Sequence, residues 1–223
     1  MMDFETARAK MVDSQLRTTD VTSHSVLNAF AKVPREEFVP AGIKQIAYAD
    51  EDLQICPAKD GIGARYIMKA SPLAKLLQLA AITKDDIVLE IGGGTGYVAA
   101  VLSQLAASVV SLESDEELSA TAAKTLSSLG YDNVATVTGP LDKGYQAEAP
   151  YDLIFINGSV EHVPAALLDQ LRDGGRLVAV VGYGNSAKAT VYRRDGKGTS
   201  STTFFNASVK PVPGFAKTRE FVF

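Results

Sequence analysis

Val88-Leu89-Glu90-Ile91-Gly92-Gly93-Gly94-Thr95-Gly96 joins a short aliphatic run to a glycine-rich turn, and the residues after it, near Tyr97 to Leu105, carry apolar positions at helical spacing. A strand, a glycine turn and a helix in that order form the first unit of an open α/β sheet. Glycine lets the backbone turn sharply and approach a ligand with no Cβ in the way. Two phosphate-binding patterns fail on the same residues. Counted from Gly92, the third glycine of G-x-G-x-x-G falls on Tyr97, and no Gly-Lys-Ser/Thr follows. What stands is acid-x-G-x-G-x-G, made by Glu90, Gly92, Gly94 and Gly96, with Gly93 inside the turn.

Downstream of residue 86, short Val/Ile/Leu runs alternate with helical patterns, as buried parallel strands with crossover helices require. The pattern predicts strands at Ile87 to Ile91, Ser108 to Leu112, Val134 to Thr138, Leu153 to Ile156 and Arg176 to Val181. Helices are expected near Tyr97 to Leu105, Glu116 to Leu129 and Val163 to Leu171. Right-handed crossovers then give a doubly wound, mostly parallel sheet flanked by helices, with its ligand beyond the strand C-termini. After Val181 the style turns antiparallel: a strand at Ala189 to Arg194, a turn at Asp195 to Gly198, a strand at Ser201 to Val209, and Thr218 to Phe223 as a possible edge.

Upstream, helical spacing runs from Phe4 to Leu16, and a second short helix starts after Thr22 or Ser23 and ends at Lys32. Pro34 and Pro40 bracket Arg35 to Val39. Ala49 to Tyr66 has no period and reads as a loop, and Ser71-Pro72 has the form of an N-cap and first helical residue. The chain is read as one domain over 1–223, with 1–80 as a helical and substrate-loop segment and 81–223 as the cofactor-binding core with the C-terminal strands.

Glu113 closes the second strand, where a carboxylate can accept hydrogen bonds from two ribose hydroxyls. Glu90 suits a ligand with an ammonium group and no pyrophosphate. S-adenosylmethionine is such a ligand. The plainer alternative is that the glycines only make a tight turn and Glu113 only begins a helix. For Asp115, Glu116 and Glu117, charges favourable at a helix N-terminus suffice.

The 223 residues are 46% apolar and carry 22 basic against 26 acidic side chains, a net charge of -4. That balance offers no general basic field for phosphates, so no nucleic-acid partner is expected. Cys56 is the single cysteine, which excludes an internal disulfide and points to a cytoplasmic location. The first 16 residues mix charged and apolar types too evenly for a signal peptide or a membrane span. No metal site is expected.

Val33-Pro34-Arg35-Glu36-Glu37-Phe38-Val39-Pro40 resembles the "VPRxxFVP" stretch of protein-L-isoaspartate O-methyltransferases. The resemblance continues through Ala47 to Asp50, Leu53 to Ile55, Val88 to Tyr97, Leu129 to Val134, Ala149 to Asp152 and Leu171 to Val178. It implies a Rossmann-like fold and transfer of a methyl group from S-adenosylmethionine to an isoaspartyl carboxylate of damaged proteins or peptides. It also implies that Glu90, Gly92, Gly93, Gly94, Gly96, Glu113, Leu141 and Asn157 bind the cofactor. A carboxylate is already ionised at neutral pH and needs no general base, so positioning is most of the work.

Three departures stand out. Where the family has a Gly-Gln-Thr-Ile-Ser loop with hydroxyls at the substrate, this chain has Gly61-Ile62-Gly63-Ala64-Arg65-Tyr66. Gly139-Pro140-Leu141 replaces Gly-Asp-Gly, so the acid near adenine is missing unless Asp142 supplies it. Asn157-Gly158-Ser159 replaces Thr-Ala-Ala. Arg65 is accordingly expected either as an exposed arginine or as a bidentate clamp on the substrate carboxylate. Asn157 and Ser159 either orient substrate or cap the following turn. His162 reads as a helix-entry residue and Cys56 as an inert thiol. The departures leave open an alternative, a relative that binds the cofactor but acts on another substrate or on none.

Overall fold

The computed structural model describes residues 3–59, 63–196 and 198–216. At its centre lies a seven-stranded sheet in the order β5-β4-β3-β6-β7-β8-β9. The strands are β3 (Ile87–Ile91), β4 (Ser108–Glu113), β5 (Val134–Thr138), β6 (Tyr151–Val160), β7 (Leu171–Val181), β8 (Lys188–Asp195) and β9 (Gly198–Asn206). Pairs from β5 through β7 are parallel, and β7, β8 and β9 pair antiparallel. The chain runs outward from β3 through β4 to β5, then returns to the other side of β3 for β6. The order therefore reverses between β3 and β6, and the crevice at their C-terminal ends is where open α/β sheets take ligands.

Alternation along the strands divides the core. Val88, Val109, Leu153, Phe155 and Val178 point to one face and Leu89, Val110, Ile154, Ile156 and Leu177 to the other. The first face is covered by α1 (Phe4–Met11), α2 (His24–Lys32), α3 (Ala70–Ala80), α4 (Tyr97–Ser103) and α5 (Glu116–Ser128), whose buried side chains join it in one cluster. Every residue of α4 is buried, and α3 contributes Leu73, Leu76 and Leu77 with no exposed surface. Burial of such a leucine stabilises by roughly 1.5–3 kcal/mol. The second face is covered more thinly, by α6 (Ala165–Leu168) and by Leu141 and Phe215. Among the described residues, no helix is long and apolar enough to cross a membrane.

Several elements differ from the pattern in the sequence. The expected helix from Phe4 to Leu16 is α-helical only to Met11 and continues as a wider π-turn over Val12–Leu16, which leaves Met11, Val12 and Leu16 all buried. The stretch Ala49 to Tyr66 is not all loop, because β1 (Leu53–Cys56) and β2 (Arg65–Ile67) pair antiparallel in a separate two-stranded sheet. Helix α3 begins at Ala70, so Ser71 lies inside it; Asp52 receives the Lys69 N–H, and the Ser71 hydroxyl donates to Thr19. Pro72 fits there because a first-turn residue needs no N–H partner. The helix expected at Val163 to Leu171 is only Ala165–Leu168, since Leu171 already pairs with Tyr151 in the sheet. Thr218 to Phe223 lie outside the described residues, as do Asp60, Gly61 and Ile62.

Candidate active site

The turn after β3 takes the conformations its glycines permit. Gly92, Gly94 and Gly96 have φ of 88°, 57° and 94°, the left-handed region that penalises a Cβ. Gly93 is a glycine for another reason: a Cβ there would lie 2.2 Å from the Ser111 hydroxyl oxygen. Gly92 and Gly93 both donate to the Leu112 carbonyl, which ties the turn to the end of β4. Thr95 donates from its hydroxyl to the Phe38 carbonyl at 2.6 Å, so the Pro34-to-Pro40 stretch is anchored on the same turn.

Glu90 is fully buried beside this turn. Its carboxylate accepts from the Ser111 hydroxyl at 2.7 Å and from Asn157 Nδ2 at 3.1 Å. Burial outweighs these donors and pushes its pKa up to about 7, the nearby Glu113 charge adding to the rise. Asn157 reaches Glu90 because β6 is irregular between Phe155 and Ser159; such a bulge re-aims a side chain at a strand end. Its Nδ2 also donates to the Gly92 carbonyl, while its buried Oδ1 has no partner among the described residues.

Glu113, at the end of β4, is held by the backbone N–H groups of Gly94 (2.8 Å), Ser114 (2.7 Å) and Asp115 (3.1 Å). Arg65 completes its shell with a two-pronged contact at 2.6 and 2.7 Å. Burial acts to raise the Glu113 pKa, but the hydrogen bonds and charge of Arg65 together with the backbone donors win and hold it below the usual carboxylate range. Arg65 thus grips a carboxylate bidentately, and in this structure the carboxylate is the protein's own. β1 and β2 place it there by pairing Cys56 with Arg65 next to the glycine turn.

The other expected site residues are distributed around this centre. Ser159 is completely buried; its hydroxyl donates to the Val209 carbonyl, its N–H to the Lys210 carbonyl, and its own carbonyl accepts from Val212. It thereby holds the 207–216 segment on β6 instead of opening into the crevice. Leu141 is buried in the second core cluster just after β5. Asp142 faces Lys143 at 3.1 Å. Cys56 is half-buried, with its thiol near the Pro57 carbonyl.

Two further residues shape the site without belonging to any motif in the sequence. Ser111 stands directly opposite Glu90 in the parallel register of β3 and β4, so aligning the two strands would have found this polar residue on a buried strand. Val212, brought in from the far C-terminal segment, stands where a Cβ on Gly92 or on Gly158 would meet its methyl groups, at 3.4 and 2.6 Å. Next to the crevice, a cavity of about 370 Å³ is lined by Phe38, Val39, Pro40, Ile55, Thr95 and Asp115 among others. That size lies within the range of small-molecule sites.

Comparison with known proteins places the chain in a family. Residues 6–214 match the family described as protein-L-isoaspartate(D-aspartate) O-methyltransferase. A protein-L-isoaspartate O-methyltransferase of Koribacter versatilis is 40% identical over 211 residues, covering 95% of this chain and 92% of its own. Protein-L-isoaspartate O-methyltransferase 2 of Shewanella sediminis is 44% identical over 176 residues, 79% of this chain and 70% of its own. A solved protein-L-isoaspartate O-methyltransferase superposes with a TM-score of 0.81 at 28% identity over 93% of this chain and 67% of that one. A Plasmodium falciparum structure, described as a complex with S-adenosyl-L-homocysteine, shares the fold with a TM-score of 0.77 at 15% identity, covering 96% of this chain and all of that one. The chain belongs to the protein-L-isoaspartate(D-aspartate) O-methyltransferase family.

Proposed function

We propose that this protein transfers a methyl group from S-adenosylmethionine to the free carboxylate of isoaspartyl residues in damaged proteins and peptides. The observation that carries the reading is the meeting, at the β3/β6 crevice of a member of this family, of a left-handed glycine turn with two buried carboxylates, Glu90 and Glu113. The donor set suits the cofactor. Glu113 is kept ionised and so is a strong acceptor for ribose hydroxyls. Glu90 and the unpartnered Asn157 Oδ1 together present acceptors suited to an ammonium group. The turn brings bare backbone to the ligand at Gly92 and Gly94.

When bound, S-adenosylmethionine supplies a methyl group on a positively charged sulfur that an ionised carboxylate attacks directly. The protein's contribution is alignment and exclusion of water, not proton removal. Thr95 and Phe38 link the glycine turn to the wall of the 370 Å³ cavity, where we place the substrate peptide. The partner is therefore a polypeptide and not a nucleic acid, in keeping with the net charge of -4, and the compartment we infer is the cytosol.

The deciding experiment is transfer of tritiated methyl groups to an isoaspartyl peptide and to its normal aspartyl isomer. Base-labile label on the isoaspartyl peptide alone is expected. Equal labelling of both isomers, or none on either, overturns the reading.

A further inference from the structure

The carboxylate of Glu113 is saturated. Oε1 accepts from Arg65 Nη1, Ser114 N, Ser114 Oγ and Asp115 N, and Oε2 accepts from Arg65 Nη2 and Gly94 N. A carboxylate offers about four lone-pair sites over its two oxygens. Six donors crowd those sites while the guanidinium stays, and its withdrawal leaves Oε2 with a single donor, Gly94 N, and so with room for a ribose hydroxyl. The Ser114 hydroxyl can rotate off Oε1, but on Oε2 Arg65 is the donor that can leave, because Gly94 N belongs to the backbone of the turn.

Space leads to the same residue. Arg65 lines two cavities, one of about 100 Å³ with Cys56, Lys59 and Ser114, the other of about 20 Å³ with Tyr66, Asn157 and Val212. Neither approaches the roughly 300 Å³ at which small-molecule sites begin. Its Nη2 also lies 3.5 Å from where a Cβ on Gly92 would stand, so the guanidinium rests against the face that the glycine turn presents. The side chain is a wall of both spaces, so its withdrawal would enlarge each.

We propose that Arg65 is a built-in competitor for the cofactor ribose: it occupies Glu113 in the cofactor-free protein and must be displaced for S-adenosylmethionine to bind. The proposal rests on the reading of Glu113 as the ribose acceptor. Apparent affinity equals intrinsic affinity multiplied by the fraction of molecules in the open arrangement, so a contact that favours the closed one about ten to one weakens binding about tenfold. Arg65→Gln removes the competitor and leaves Glu113 its four remaining donors, from Gly94, Ser114 and Asp115, so the carboxylate is still solvated by protein.

The test is calorimetric titration with S-adenosylhomocysteine, which cannot turn over, into the full chain, Arg65→Gln, and Arg65→Gln combined with Glu113→Gln. The double variant strands no guanidinium. Arg65→Gln is expected to bind about tenfold tighter than wild type, and the double variant to lose at least that gain. If the double variant binds as tightly as Arg65→Gln, the assignment of Glu113 to ribose fails. If it binds more weakly but Arg65→Gln is no tighter than wild type, the assignment stands and the competitor is refuted. A second measurement needs no folded variant beyond one for assignment. In ¹⁵N-arginine spectra of the wild type, the slowly rotating guanidinium of Arg65 should turn fast on saturation with S-adenosylhomocysteine, and its persistence would overturn the proposal.

Discussion

Substituting Gly93 by alanine tests whether the turn is shaped by Ser111. The position lies outside the left-handed region, so alanine escapes that penalty, yet its Cβ would sit 2.2 Å from Ser111 Oγ. Real Cβ contacts essentially never fall below 3.0 Å, so the hydroxyl must retreat by about 0.8 Å (3.0 less 2.2) or change rotamer. Either movement disrupts its 2.7 Å bond to the buried Glu90 carboxylate. Losing such a bond costs about 1–3 kcal/mol, which sets the expected destabilisation of Gly93→Ala. Ser111→Ala should cost a similar amount for the same reason. With the hydroxyl gone, the nearest remaining neighbours of a Cβ at 93 are Glu90 Oε2 and Ser111 Cβ, both at 3.6 Å, ordinary contact distances. The double variant should then be no less stable than Ser111→Ala alone, leaving a coupling of about 1–3 kcal/mol between the two sites. Urea denaturation of all four proteins measures it. Costs that simply add would refute the steric account of Gly93.

Glu90 makes stability depend on pH in a stated direction. Its folded pKa is raised from the usual 4.5 to about 7, so between these values the folded state holds a proton that the unfolded chain has lost. The resulting contribution, about 3 kcal/mol in full, is present below pH 4.5 and is lost as pH rises through 7. Relative to wild type, Glu90→Gln should therefore gain stability from about pH 5 to 7 and level off above that; a flat difference across this window would show that Glu90 is not perturbed. Arg35→Lys should destabilise by about 2–4 kcal/mol in denaturant, because the fork that serves the Ala47 and Met68 carbonyls at 2.8 and 2.9 Å has no lysine equivalent; a loss under 0.5 kcal/mol would contradict this. Gly158→Ala would place a Cβ 2.6 Å from a Val212 methyl and 2.7 Å from the Lys210 carbonyl oxygen. It should lift the 207–216 segment and speed hydrogen exchange at the Ser159 and Val212 amides, which bond across that contact; unchanged exchange would show that the segment yields without detaching.

The parallel core was legible because its signals are local. β3 and β5 have the expected limits, and α5 ends within a residue of them, since strands buried on both faces read as continuous apolar runs and the crossover helix has its own period. Ser23 caps α2 where a hydroxyl before a helical pattern indicated it. The order of Glu90, the glycines and Glu113 marked the crevice because the loop between β3 and its helix is encoded in consecutive residues. Short elements were less visible. β1 and β2 are four and three residues long, too few to establish a period, and they exist by pairing with each other.

What only the tertiary structure decided is which groups meet. Arg65 and Glu113 are 48 positions apart, Glu90 and Asn157 are 67 apart, and Ser159 meets Val209 over 50. The sequence by itself determined the fold and supplied a guanidinium suited to gripping some carboxylate. Which carboxylate it grips depends on the register of β1 against β2 and on where that small sheet rests on the glycine turn. Neither is written in any local run of residues, because a buried charge is paired by packing between distant segments and not by spacing along one.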